Sequence, residues 1–289
     1  MDWVARMNNA LDYIEAHLAD EMDYDAIAKA AFSSAYHFPR MFVAVTGLTL
    51  SEYIRRRRLT QAAYDLTNRN NRVIDVAVKY GYESADAFAR AFYRQHKVHP
   101  SCSCESGVQF TYYPRISFHL DLKGDVPMNY RLEELYALRI VGRRFEVDTK
   151  RAFDIVPGIW QREMESGFLP KLIDMSWEKP RCKLESLLGV IGLKPRIHDE
   201  TFDYFIGIWY DDEAPEGMEV LNLPSLTWAV FPDVINAWKR IYTEWLPGSG
   251  YDLADAPIVE CHYAPGHEPA SELWAPVIPL GKEQQPKDY

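Results

Sequence analysis

Glu260 stands in the run Ile258-Val259-Glu260-Cys261-His262, whose apolar and β-branched neighbours favour a strand. A carboxylate there is exposed, paired or functional, because an unpaired buried charge is prohibitive. Seven of the eight tryptophans, all but Trp3, lie beyond residue 127. That same stretch holds 17 Lys and Arg against 27 Asp and Glu. Aromatic faces attract cations by about 0.5–2 kcal/mol, and a desolvated carboxylate adds far more when paired. Carboxylates set among tryptophans are therefore suited to a cation, although core packing is the commoner fate of any single tryptophan. A second cluster, His96, His99, Cys102 and Cys104, offers four ligands at close spacing, a set that zinc could use. Its Cys-x-Cys spacing departs from the usual zinc pattern, and the competing reading is an exposed tail. Neither metal nor cofactor is expected.

Composition bounds the rest. At 47% hydrophobic and 26% charged, the 289 residues have the balance of ordinary globular domains, which argues against disorder. The longest apolar runs, residues 187–193 and 205–210, are too short to span a bilayer. The first eighteen residues carry acids and lack a long apolar core, so they do not read as a signal peptide. The expected location is the cytoplasm, with no membrane partner. Cys102, Cys104, Cys182 and Cys261 are sparse and irregular, which gives no disulfide framework. Residues 1–105 hold 13 basic and 13 acidic side chains, so the net charge of −10 lies in the C-terminal part. The two parts can therefore have different partners.

The first hundred residues show six helical patterns. Trp3, Met7, Leu11, Ile14 and Leu18 line one face. Residues 24–31 follow Asp23 as N-cap. Ser34 caps a third helix that ends at Gly47, a natural C-cap. Residues 50–66 form the long fourth helix and 73–80 the fifth. Gly81 makes a turn, Ser84 caps, and residues 85–96 form the sixth, with Phe88, Ala91 and Phe92 inward. The second–third and fifth–sixth pairs share one plan: a short helix and a tight turn lead into a helix whose start is polar or small. That is the helix-turn-helix plan, in which the second helix enters a major groove; a plain six-helix bundle has the same periodicity. In Arg55-Arg56-Arg57-Arg58 successive residues turn by about 100°, so the four cannot share a face. Arg56 can pair with Glu52 at i, i+4.

Arg40-Met41-Phe42, Thr46-Gly47, Tyr53-Ile54-Arg55, Arg58-Leu59, Asp75-Ala77, Gly81-Tyr82, Ser84, Phe88, Arg90-Ala91-Phe92 and Pro100 closely resemble the DNA-binding domain of the AraC/XylS regulators. The resemblance covers about residues 8–101. It implies two helix-turn-helix units bridged by the fourth helix, with double-stranded DNA as partner. Ala35, Tyr36, Pro39 and Arg40 then take the groove-facing positions of the first recognition helix, and Ala85, Asp86, Ala89 and Arg90 those of the second. Arg40 and Arg90 are suited to guanine O6/N7 or to phosphate. Ser34 and Ser84 can cap and also touch phosphate; Arg94 and Lys97 are further phosphate contacts. Departures include Phe32 near the family's turn glycine and Pro39, expected inside its helix beyond the first turn, where it removes a backbone donor. After Pro100, Ser-Cys-Ser-Cys replaces the family's Tyr-Arg element.

Residues 106–127 read as a linker with short β-like runs such as 116–122. From residue 128 the order is strand (130–145), helix (153–172), strands (187–193, 201–210), then strand (226–231), helix (234–245), strands (257–263, 273–280). Two βαββ units imply a duplicated antiparallel α+β domain. The expected organisation is multidomain, all-α (1–105), linker (106–127) and α+β (128–289).

The Trp160 helix, LLGVIGL, FDYFIGIW, LPSLTWAVFP, WLPGSGYDLADAPIVECHYAP and SELWAPVIPL resemble, over about residues 129–281, the GyrI-like effector-binding domain. Joined to the AraC-type part, this is the layout of Rob-like regulators. The resemblance implies a cleft between two halves that accepts amphipathic or cationic aromatic compounds, with a buried Glu as counter-ion. Glu260 matches that Glu, and Glu272 is a second candidate. The family's Glu-x-Tyr reads Glu260-Cys261-His262 here, so either His262 stands in for the Tyr or a bulge shifts Tyr263. Trp160, Tyr204, Trp228 and Trp274 are candidate walls. The leading expectation is a one-component transcription regulator, with RNA polymerase as a further partner. No leucine heptad marks a dimer, so a monomer or weak dimer is expected. The alternatives are a protein-binding C-terminal module, or a hydrolase of strained electrophiles using Glu260 with Tyr204 or Tyr263.

Overall fold

The computed structural model describes residues 3–35, 37–105, 107–119, 127–178, 186–192 and 201–280. The expectations for Tyr36, Cys182 and the end of the 187–193 strand fall outside these. The chain divides into two compact units, Met1–Phe32 with Leu48–Leu120, and Ser33–Gly47 with Asp121–Tyr289.

The first unit holds α1 (Trp3–Ala16) and α2 (Tyr24–Ala30). Helix α3 (His37–Thr46) belongs to the second unit. The first unit resumes with α4 (Leu50–Leu66), α5 (Val73–Lys79) and α6 (Ala85–His96). Asp23, Thr49 and Ser84 each accept from a backbone N–H three residues on and so start α2, α4 and α6. Gly81 turns between α5 and α6 at φ +77°, a conformation that favours glycine. Leu59, Ala62, Leu66, Val76, Ala77, Phe88 and Phe92 form the core that locks α5 and α6 onto α4. The arginine run in α4 divides its work. Arg57 is buried, with Nε and Nη2 each 2.8 Å from the Glu15 carboxylate, which also accepts from Tyr53 at 2.8 Å. Arg56 pairs with Glu52. Arg58 donates to the carbonyls of Leu18 and Asp20. Arg55 is exposed.

Beyond α6 the chain turns at Lys97 (φ +60°) and runs back over the helices. Asn8 and the Phe118 backbone exchange two hydrogen bonds of 3.0 Å, and the Tyr113 carbonyl accepts from Arg57. The β-like run expected at 116–122 is not a strand over 116–119. Those backbone groups are bonded to helix side chains instead of to a sheet.

The second unit is built on β1 (Arg131–Leu135), β2 (Leu138–Asp148), α7 (Ala152–Glu165), α8 (Phe168–Glu178), β3 (Leu187–Ile191), β4 (Thr201–Trp209), β5 (Glu219–Leu223), β6 (Leu226–Pro232), α9 (Val234–Arg240), β7 (Tyr251–Leu253), β8 (Ile258–His262) and β9 (Ser271–Pro279). One antiparallel sheet runs β1-β6-β9-β8-β3-β4-β2-β5, with β7 on β9. The two halves meet at the β3–β8 pair as related mirror orders, β2-β4-β3 and β8-β9-β6. Each half is preceded by a short strand that pairs with the other half: β1 lies on β6 and β5 on β2. The joints are Leu135-Tyr136-Ala137-Leu138 and Leu223-Pro224-Ser225-Leu226, a second sign of duplication.

Several details differ from the sequence expectation, and the single strand expected over 130–145 breaks into β1 and β2. The helix expected over 153–172 breaks at Gly167 (φ +81°) into α7 and α8. The helix expected over 234–245 ends as α9 at Arg240 and continues as a π turn over Ile241–Trp245. Strands β5 and β7 were not expected, being short and partly polar. Pro39 is also corrected: α3 starts at His37, so Pro39 lies in its first turn, where the missing N–H costs no helical bond.

Strand alternation separates two apolar clusters. Leu188, Val190, Phe205, Val259, Cys261, Trp228 and Trp274 pack on one side. Tyr204, Ile206 and Ile208 face the other way, with Ile159, Phe168, Leu169 and Leu172 of α7 and α8 against them. Glu260 and His262 alternate with Val259 and Cys261, which puts both on that helix-covered side.

Candidate functional site

In the first unit, α6 presents the elements of a groove-entering helix. Phe88, Phe92 and His96 are buried, while Asp86, Arg90, Tyr93, Arg94 and Lys97 are exposed along the opposite side. Ser84 Oγ accepts from the Ala87 N–H at 3.1 Å. Ala85 and Ala89 are half-buried beside this stripe. An exposed helix face with a cap and arginines one turn apart can meet phosphate and base edges. His96 Nε2 donates to the Leu59 carbonyl at 3.0 Å and its ring packs on Phe92, while His99 stacks on Tyr93. The two His side chains of this region are thus drawn to different partners. Among the described residues no group of three or more His, Cys, Asp or Glu could hold a metal.

In the second unit, Ser34 Oγ accepts from the His37 N–H at 3.3 Å as α3 begins. Phe32, just before this unit, holds φ +52° where the resemblance leads one to expect glycine. Ala35, Pro39 and Arg40 are half-buried.

A cavity of about 1100 Å³ opens between the sheet and its helices. Glu260, 7% exposed, reaches it from β8. Its Oε2 accepts from the Tyr204 hydroxyl at 2.7 Å and its Oε1 from the Trp238 indole N–H at 2.6 Å. The Trp160 indole N–H in turn donates to the Tyr204 oxygen at 2.9 Å. Burial, then the charge and hydrogen bond of Glu260, push the Tyr204 hydroxyl well above the ordinary tyrosine range, so it stays a proton donor. The pairing of β8 with β3 and β9 runs without a bulge, so His262 shares the Glu260 face. His262 Nε2 lies 3.8 Å from Glu260 Oε2, and its ring packs on Trp160 at 4.6 Å between centroids. Among the described residues His262 is the one basic side chain within 4.0 Å of that carboxylate. The site is a charge held by neutral donors and walled by aromatic rings, an arrangement that favours a cation without a large hydration shell.

Other residues named from the sequence lie elsewhere. Tyr263 touches the cavity, but its hydroxyl donates to Glu272 at 2.8 Å. Glu272 is 2% exposed and bidentate to Arg131, with a further bond from the Trp274 indole at 3.2 Å. Burial opposes its charge, but these bonds outweigh burial and its pKa lies below the usual carboxylate value. Trp228 and Trp274 are 1% and 2% exposed, edge to face in the core, and neither lines the cavity. Trp238 and Phe202 line it without having been singled out, because their stripe and alternation read equally as core. Gly189, cross-strand from Glu260, was also missed. A Cβ there would lie 2.2 Å from the Tyr204 hydroxyl oxygen and 2.9 Å from Glu260 Oε2. A glycine inside a strand is the sequence signal for such close approach.

A family model described as a helix-turn-helix domain matches residues 27–103, and one described as a GyrI-like small molecule binding domain matches residues 128–278. The HTH-type transcriptional activator AarP of Providencia stuartii is 37% identical over 95 residues, which are 33% of this chain and 70% of AarP. The transcriptional regulator Rob of Salmonella typhimurium is 35% identical over 101 residues, 35% of each chain. A solved structure of SAV2435 bound to tetraphenylphosphonium covers 52% of this chain and 94% of its own, at 22% identity and a TM-score of 0.44.

Proposed function

Because the chain belongs to the AraC-type helix-turn-helix regulators and carries a GyrI-like small molecule binding domain, we propose that it couples promoter binding to detection of a lipophilic organic cation. The observation that carries this reading is Glu260, buried in an aromatic cavity and bonded to two neutral donors. A bound cation supplies the opposite charge that the Tyr204 and Trp238 donors do not. Trp160, Trp238 and Phe202 offer the rings. On the DNA side, Arg90 and Arg94 of α6 and Arg40 of α3 are the proposed contacts, with Ser34 and Ser84 on phosphate. RNA polymerase is the proposed protein partner, the cytoplasm the proposed location, and a monomer the proposed DNA-binding form.

The test is a titration of the full chain with tetraphenylphosphonium, followed by tryptophan fluorescence and by the shift in melting temperature. Glu260→Gln is expected to abolish both signals and to leave DNA affinity intact. Unchanged signals in that variant remove Glu260 from the site.

The Tyr204–Glu260 bond favours a second reading, hydrolysis of a strained electrophile with Glu260 activating water and Tyr204 donating a proton. The fusion to a DNA-binding module weighs against it. Turnover of an epoxide or activated ester that disappears in both Glu260→Gln and Tyr204→Phe distinguishes it from sensing.

A further inference from the structure

Arg40 is half-buried on α3, among side chains of its own compact unit. Its guanidinium carbon lies 5.0 Å from the centroid of the Phe202 ring. A Cβ on Gly192 would meet Arg40 Nη1 at 2.6 Å, so the guanidinium fits a place where the strand end has no side chain. Arg40 and Phe202 both line the cavity that holds Trp160, Trp238, Tyr204 and Glu260. The helix is anchored there by His37, 1% exposed, whose Nε2–H donates to the Ala254 carbonyl at 2.7 Å. The charge of Arg40 is also felt by Tyr242 in the cavity wall, where it partly offsets the effect of burial.

A guanidinium over an aromatic face makes the same interaction that a lipophilic cation makes. Two like charges cannot share one low-dielectric cavity without repulsion. We infer that Arg40 is a tethered occupant of the cation cavity, so that an entering cation and the docked Arg40 exclude one another. The entering cation then releases α3, the helix proposed to carry Arg40 to DNA. The inference rests on the proposed reading of the cavity as a cation site. Linkage makes the effect reciprocal: a duplex that holds Arg40 leaves the cavity more receptive to the cation.

The experiment titrates the full chain with tetraphenylphosphonium by calorimetry, using the parent, Arg40→Ala, Arg40→Lys and Glu260→Gln. Removing the tethered cation is expected to tighten binding about twofold to thirtyfold, the range of one cation–aromatic contact. Arg40→Lys, which keeps the charge, is expected to stay near the parent. A second arm follows amide exchange in the parent with and without the probe. Residues 37–46 should exchange faster when tetraphenylphosphonium is bound, while the segments around Tyr204 and Trp238 exchange more slowly.

Equal or weaker binding by Arg40→Ala, with Glu260→Gln still inactive, overturns the competition and leaves the cavity reading in place. Added protection of residues 37–46 on binding overturns it likewise. Should Arg40→Ala melt below the working temperature, the exchange arm on the parent decides alone. A parent that does not bind, or Glu260→Gln binding like the parent, removes the cation site and the inference with it.

Discussion

Gly189→Ala is the smallest change that should dismantle the proposed binding site. The added methyl carbon would sit 2.2 Å from the Tyr204 oxygen, 2.9 Å from the Tyr204 ring carbon that bears it, and 2.9 Å from Glu260 Oε2. None of these is the loose end of a flexible side chain, since Tyr204 and Glu260 are held by Trp160, Trp238 and each other. Either Tyr204 leaves Glu260 or strand β3 shifts against β8. Overpacking of a close-packed interior costs about 1–3 kcal/mol, and a lost hydrogen bond to a carboxylate about 1.5–3 kcal/mol. A total of about 2.5–6 kcal/mol corresponds to a fall in melting temperature of about 5–24 °C for a unit of this size. Tryptophan fluorescence should report it, because Trp160 and Trp238 both belong to the network. Binding of tetraphenylphosphonium should weaken in the same variant. The double-mutant cycle with Tyr204→Phe makes the test specific. Phe lacks the oxygen that the methyl meets most closely, so Gly189→Ala should cost clearly less in that background. Parent-like melting of Gly189→Ala, or purely additive effects in the cycle, would refute the close approach on which the site depends.

The remaining predictions concern the two recognition helices and the helical core. Arg90→Ala should weaken DNA binding by about 1–3 kcal/mol and relax selectivity at one base pair if it reads guanine, or weaken all sequences alike and lower the salt slope by about one if it holds phosphate; competition binding at several salt concentrations tells which. Arg57→Ala leaves the Glu15 charge without its ionic partner and should cost about 3–5 kcal/mol, read as a lower urea midpoint of the first unit. His37 is held down from 6.5 to about 4, chiefly by burial, with the Ala254 bond opposing and Arg40 assisting. A free His37 takes up its proton near 6.5 and the docked one near 4, so the stability that neutral His37 lends to α3 docking is fully present above pH 6.5 and is lost as pH falls through 4. The change amounts to about 3 kcal/mol. Amide exchange of residues 37–46, corrected for intrinsic pH dependence, should show it. His37→Gln should flatten the profile; the difference between the two proteins is the readout, because burial raises the neighbouring Asp255 and gives the opposite slope.

The sequence alone carried the local and periodic features. The six N-terminal helices, the caps at Asp23 and Ser84 and the turn at Gly81 follow from side chains acting on backbone within a few residues. The duplication was legible because a repeated strand–helix–strand–strand pattern survives without any long-range contact. Glu260 could be singled out because a charge in an apolar strand demands a reason. Only the tertiary structure decided what answered that charge. Trp238 and Tyr204 lie 22 and 56 residues away along the chain, and nothing in their local patterns separates a wall from a core. For the same reason Trp228 and Trp274 were grouped with the walls although they pack in the other cluster. Glu272, equal to Glu260 as a buried strand carboxylate, is distinguished by Arg131, a partner 141 residues away. The crossing of β1 and β5 to opposite halves, and the placing of Arg40 over Phe202, are likewise matters of which surfaces meet. Periodicity assigns each residue to a face, but the partner of that face is chosen by packing across the whole unit.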